Sequence, residues 1–240
     1  MLLPGIGGPR GTFYHQYDAF QADRRTVALN LNSARRTGTS SSESAADDIA
    51  FAYDELGIDR ADLVAASFGS AVATRFALRH PDRVRRLVWV APPLVRHRPW
   101  LRTFGPGWLV GGALLAYSPP RGRKRVASFL ARSRMYTTEP DLTEDELELL
   151  GERAMETQIG PFFERLYDLA RWDWHSLPAP FPRPLLVVQG RTERALTPQA
   201  TVDAWRALSG REVAVVPGHH MPYLSYPGEF NAVLREFLDG

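Results

Sequence analysis

The chain has 240 residues, of which 44% are hydrophobic, with 29 basic against 27 acidic side chains and a formal net charge of +2. That is enough for one domain with an insertion, or two small ones, around an ample core. The near balance of charge gives no reason to expect a nucleic-acid partner, and the absence of cysteine excludes disulfides and fits a cytoplasmic setting.

Met1-Leu2-Leu3 reads as the end of a strand, followed by a glycine-rich loop from Pro4 to Pro9. These opening residues carry no basic region and no long apolar run, so they are not expected to form a signal peptide. The loop does not have the G-x-G-x-x-G spacing of a dinucleotide site. Thr12 to Phe20 suits a short helix packed by Phe13, Tyr17 and Phe20, and Val27 to Leu31 suits a strand. The polar stretch from Asn32 to Ser42 is a loop. Ser42 or Ser44 is placed to cap a helix that buries Ala46, Ile49, Tyr53 and Leu56 and ends at Gly57. An apolar run then leads into Ser67, and Ala71 to Leu78 forms a buried helix stopped by Pro81. Val84 to Val90 is the next strand.

From there to Pro184 the pattern is helical and rich in tryptophan and arginine. Thr143-Glu144-Asp145-Glu146 has the form of a capping box, and Leu147, Leu150 and Ala154 continue at helical spacing. Phe162, Phe163, Leu166, Leu169 and Ala170 form a second apolar face. The longest apolar run, Trp108 to Tyr117, is too short to span a bilayer. The basic run Arg121, Arg123, Lys124 and Arg125 reads as solvated surface. Strands return at Leu185–Gln189 and Val213–Val216, with a helix from Pro198 to Leu208 between them. The last helix begins at Pro227 and buries Phe230, Val233, Leu234 and Phe237. Short apolar strands alternating with helices predict an α/β fold: a mostly parallel sheet covered on both faces. The expected division is a core of residues 1–93 and 184–240 with a helical lid of residues 94–183.

Ser67 is the chemical centre of this pattern. Ala65 and Gly69 flank it at two residues on either side, so the chain can pass through a tight strand-to-helix turn that leaves the hydroxyl above the sheet. The helix that follows offers free N–H groups and a positive dipole end. A serine nucleophile needs a base, and the base needs an orienting carboxylate. Glu193 follows one strand and His219-His220 follow another, in the order serine, acid, histidine. Either histidine can serve on this reading. Adjacent histidines rarely ligate one metal together and no other ligand cluster is visible, so no metal or cofactor is expected.

These segments together resemble the α/β-hydrolase superfamily, in particular its lid-bearing serine esterase-like members. Leu2-Leu3-Pro4-Gly5-Ile6-Gly7 is similar to the oxyanion loop, with Pro4 where the family has histidine. Ala65-Ala66-Ser67-Phe68-Gly69-Ser70 is similar to the nucleophile elbow, with Ala65 in place of the usual glycine. His80-Pro81-Asp82-Arg83-Val84 and Pro227-Gly228-Glu229-Phe230-Asn231 also fit. Gly190 through Glu193 to Pro198 stands where the family has Gly-x-x-Asp and a later proline. Gly218-His219-His220-Met221-Pro222 aligns with Gly-His-x-Pro through His220.

The resemblance implies Ser67 as nucleophile, His220 as base, Glu193 as its partner, and an oxyanion hole from the backbone N–H groups of Ile6 and Phe68. It also implies that the chain starts at the family's third strand. Val27–Leu31 would then be an exposed sheet edge, covered by upstream residues or by a second copy of the chain. Asn30-Leu31-Asn32-Ser33 departs from the family's Asp-Leu-Arg-Gly. The expected function is hydrolysis of a carboxylic ester of a small or apolar substrate; Trp100, Phe104, Trp108, Leu114, Phe129, Phe162, Phe163, Trp172 and Trp174 make the lid region apolar, which suits apolar groups, but much of this set must be lid core and does not choose a substrate. Thioesterase, lactonase, carbon–carbon hydrolase and acyltransferase chemistry use the same constellation, and a non-catalytic binding scaffold is the alternative from another class. Dehalogenase and epoxide hydrolase relatives have aspartate where Ser67 stands.

Overall fold

The computed structural model describes residues 1–6, 10–31, 39–93, 142–148, 159–193 and 202–240. Its centre is a parallel sheet of β1 (Leu2–Leu3), β2 (Ala61–Ala66), β3 (Val84–Val90), β4 (Leu185–Gly190) and β5 (Ala214–Val216), paired in that order. The strands sit in register through Leu2 opposite Val64, Val64 opposite Val88, Val88 opposite Leu186, and Val188 opposite Ala214. Nearly every residue of β2 and β4 is buried, which is why residues 63–66 and 185–188 are continuous apolar runs rather than alternating ones.

Successive side chains on each strand enter different cores. Leu63, Ala65, Leu87, Trp89, Leu185 and Val187 face one layer. There they meet α2 (Ser42–Glu55), α3 (Phe68–Arg79) and α5 (Val202–Ser209) through Ile49, Phe76 and Trp205. Val64, Ala66, Val88, Val90, Leu186 and Val188 face the other layer. That side is covered by α1 (Tyr14–Phe20), the short α6 (Pro222–Ser225) and α7 (Pro227–Asp239), which bury Phe20, Tyr223, Phe230 and Leu234. The predicted α/β sandwich is therefore the observed one.

Several local expectations are corrected. Val27–Leu31 forms one parallel bridge, Ala28 opposite Leu2, instead of a full strand. Its backbone is held through Leu2 N–H donating to Val27 O at 2.8 Å and Leu29 N–H donating to Leu2 O at 3.0 Å. The α2 cap is Ser41, whose side chain accepts from Ser44 N–H at 3.2 Å, instead of Ser42 or Ser44. Leu56 lies past the end of α2 and is exposed.

The capping box forms as expected: Glu146 accepts from Thr143 N–H at 2.8 Å, and the Thr143 hydroxyl accepts from Glu146 N–H at 3.3 Å. In α4 (Ile159–Arg171) Phe162 and Leu169 are buried, but Phe163 is exposed and Arg165 is buried instead. Trp172 and Trp174 pack edge to face beside Trp89, so they serve the core under α4. Trp100, Phe104, Trp108, Leu114, Phe129, the basic run 121–125, Leu150, Ala154 and Pro198 lie outside the described residues, as does most of the span assigned to a lid.

Candidate active site

Ser67 occupies the turn between β2 and α3 with φ 49° and ψ −119°. A non-glycine residue in that region is strained, and the surrounding bonds hold it there. Ser67 N–H donates to Val90 O at 2.9 Å, which extends the β2–β3 ladder by one residue, and Ser70 N–H donates back to Ser67 O at 2.9 Å. The buried Ser70 hydroxyl donates to Ala65 O at 2.9 Å and ties the helix start to the strand end.

Small neighbours are a geometric need. A Cβ added at Gly69 would stand 2.7 Å from the carbonyl oxygens of both Leu3 and Pro4. One added at Gly5 would meet the Ser67 Cβ at 3.3 Å, so the loop after β1 lies directly against the serine. Ala65, in the glycine position, is wholly buried in the core, where its methyl group has room. Ile6 belongs to the same loop as Gly5. Phe68 is the first residue of α3, where N–H groups have no intrahelical acceptor.

Glu193 and His220 come from the turns after β4 and β5, and those turns are laced together. Arg191 N–H donates to Val216 O at 2.8 Å, and Thr192 donates to Gly218 O through its N–H at 3.1 Å and its hydroxyl at 3.0 Å. Gly190 makes this approach feasible, since a Cβ there would fall 1.9 Å from His219 O. Gly218 takes φ 97° and leaves no room for a side chain beside the Tyr226 ring. The outcome is a contact of 3.1 Å between His220 Nδ1 and Glu193 Oε2, with the Glu193 side chain fully buried. The two atoms are at ion-pair distance. The His220 ring is thus set against the acid.

Serine, glutamate and histidine thus each follow the carboxyl end of a parallel strand, where open α/β sheets place their sites. Among the described residues no group of acidic or histidine side chains is arranged to hold a metal ion, and no helix is long and apolar enough to cross a membrane.

Residues 1–227 match the alpha/beta hydrolase fold family. The chain belongs to that family. It is 33% identical over 124 residues to homoserine O-acetyltransferase of Thermus thermophilus, a match covering 42% of this chain and 30% of that protein. It is 26% identical over 202 residues to 2-hydroxymuconate semialdehyde hydrolase of a Pseudomonas species, covering 77% of this chain and 64% of that one. The chain therefore spans less than two thirds of the length of either relative. A hydrolase from Pseudomonas aeruginosa superposes with a TM-score of 0.78 at 18% identity, over 100% of this chain and 89% of the other. The family thus brings hydrolase and acyltransferase relatives together on this fold.

One residue at the site escaped the sequence reading. Arg165 of α4 is only 4% exposed and donates through Nη1 to Ile6 O at 2.8 Å and through Nη2 to Leu31 O. A signal was present: position 165 lies three residues after Phe162 and four before Leu169, on the apolar face of the helix. An arginine there is not an ordinary surface charge.

Proposed function

We propose that the protein is a serine hydrolase that cleaves a carboxylic ester of a small or apolar substrate through an acyl-enzyme. The observation that carries this reading is the strained Ser67 turn at one strand end together with the 3.1 Å His220–Glu193 contact at two others. In the reaction, the Ser67 oxygen attacks the ester carbon as His220 Nε2 takes its proton. The tetrahedral oxyanion is held by the backbone N–H groups of Ile6 and Phe68. It collapses with release of the alcohol, which receives the proton from His220. Water, deprotonated by the same histidine, then attacks the acyl carbon and frees Ser67. Glu193 keeps the imidazole in one orientation and stabilises its cation. A helical lid falls within residues 94–183 on this reading, with Trp172, Trp174 and Phe181 of that span given to the core of the sheet instead; the substrate is a small molecule, and the protein works in the cytoplasm without a cofactor.

A second reading, transfer of the acyl group to an alcohol instead of water, is favoured by the 33% identity to an O-acetyltransferase. The two separate in a single experiment. p-Nitrophenyl esters of increasing chain length are supplied with and without a small alcohol, and free acid and new ester are both quantified. Ester hydrolysis gives acid at a rate the alcohol does not alter, whereas acyl transfer gives mostly new ester. Product formation that persists unchanged in Ser67→Ala contradicts both.

A further inference from the structure

We infer that Arg165 is a positioning residue for the oxyanion loop, clasping it from α4 so that Ile6 is fixed against Ser67. This inference rests on the serine-hydrolase reading above. A guanidinium withdrawn from water is costly unless its donors are satisfied. Arg165 is buried, Glu164 is the acidic side chain whose charge favours it, and among the described residues its Nε makes no hydrogen bond. Its two terminal nitrogens instead donate to the backbone carbonyls of Ile6 and Leu31. These lie in the loop after β1 and at the end of the neighbouring bridged segment. Its cationic carbon also stands 5.7 Å from the ring of Phe68, the other residue whose N–H faces the developing charge in the mechanism. One side chain therefore touches both residues assigned to the oxyanion hole, and it does so from an element that carries none of the triad.

The loop needs such a clasp. Gly5 gives it conformational freedom, and β1 before it is only two residues long. A carbonyl held by a fork of fixed geometry loses that freedom. One turn along α4, Asp168 supplies a separate anchor, accepting from Ser42 N–H at 2.8 Å at the start of α2. Docking of α4 and clasping of the loop can thus be cut independently.

The test compares Arg165→Met, Arg165→Lys and Asp168→Ala by thermal unfolding, by steady-state kinetics on p-nitrophenyl butyrate, and by hydrogen exchange of the peptide containing Ile6. Loss of one oxyanion donor costs about 100- to 1000-fold in kcat. Arg165→Met is expected to lower kcat about 100-fold with KM within threefold, and to speed exchange around Ile6 about tenfold. Arg165→Lys, which still has a donor of similar reach, should recover part of the rate. Asp168→Ala should lower the unfolding temperature while keeping kcat within threefold. If Arg165→Met fails to fold, Arg165→Lys alone should show a kcat reduced about tenfold at unchanged KM. Wild-type exchange around Ile6 in Arg165→Met, or a kcat within threefold in either arginine variant, overturns the clasp. Failure of the serine reading looks different: turnover would be absent or would survive Ser67→Ala, and the exchange comparison would still decide whether Arg165 holds the loop.

Discussion

At the scale of single residues, the site depends as much on what is missing as on what is present. Gly190 has a backbone carbonyl where a methyl group would go, 1.9 Å away. Gly190→Ala must therefore push the histidine turn off the acid. Turnover is expected to fall at least 100-fold while the far-ultraviolet circular dichroism stays that of the parent. Unchanged turnover would mean that the His220–Glu193 contact is not used. Glu193→Gln keeps shape and removes charge, and by the behaviour of other triads kcat should drop about 10⁴-fold. A loss under tenfold would make Glu193 an ordinary buried carboxylate. Ser67, Glu193 and the pair His219-His220 stand out in the sequence because each is polar and follows an apolar strand within a few residues. The choice between His219 and His220 was open from the residues alone, since it depends on the turn that Gly218 makes at φ 97°. Arg165 is not legible in an apolar periodicity because a charged side chain fills the buried face of α4 while Phe163 is exposed.

Elements were legible where burial is nearly complete. β2, β3 and β4 fall at the expected positions because their runs cannot sit anywhere but between two cores. The ends were less legible, since caps depend on one hydrogen bond. Ser40 and Ser41 precede α2, Ser42 and Ser44 lie in its first turn, and only the geometry selects Ser41. Ser41→Ala should cost about 1 kcal/mol, or roughly 2–4 °C in unfolding temperature for a chain of this size, whereas an exposed position in the middle of α2 should tolerate alanine. No change on Ser41→Ala would place the cap elsewhere. α7 seals the second core through Phe230, which is wholly buried against Tyr223. Phe230→Ala is expected to destabilise by about 3–5 kcal/mol in denaturant unfolding. A cost under 1 kcal/mol would show that the helix is not a fixed part of the sheet's cover. The one-bridge pairing of Val27–Leu31 was not legible, because its composition suits a strand while its pairing depends on how little of β1 lies beside it.

For the whole molecule, the order β1 to β5 sets the carboxyl ends of the strands along one edge, and three of those ends carry the serine, the acid and the histidine. The two cores that cover the sheet were foreseen from alternating strands and helices, and membership of the alpha/beta hydrolase fold family agrees with them. The substrate was not legible, because one fold carries several reactions and the residues that would shape a substrate pocket are not those that make the sheet. The central claim is an activated serine at position 67. Its most direct test is the intact mass of the protein after exposure to a fluorophosphonate, with Ser67→Ala treated in parallel. A single adduct on the parent protein and none on the variant is expected. A folded parent protein that takes no adduct, or an adduct that remains in Ser67→Ala, would contradict it.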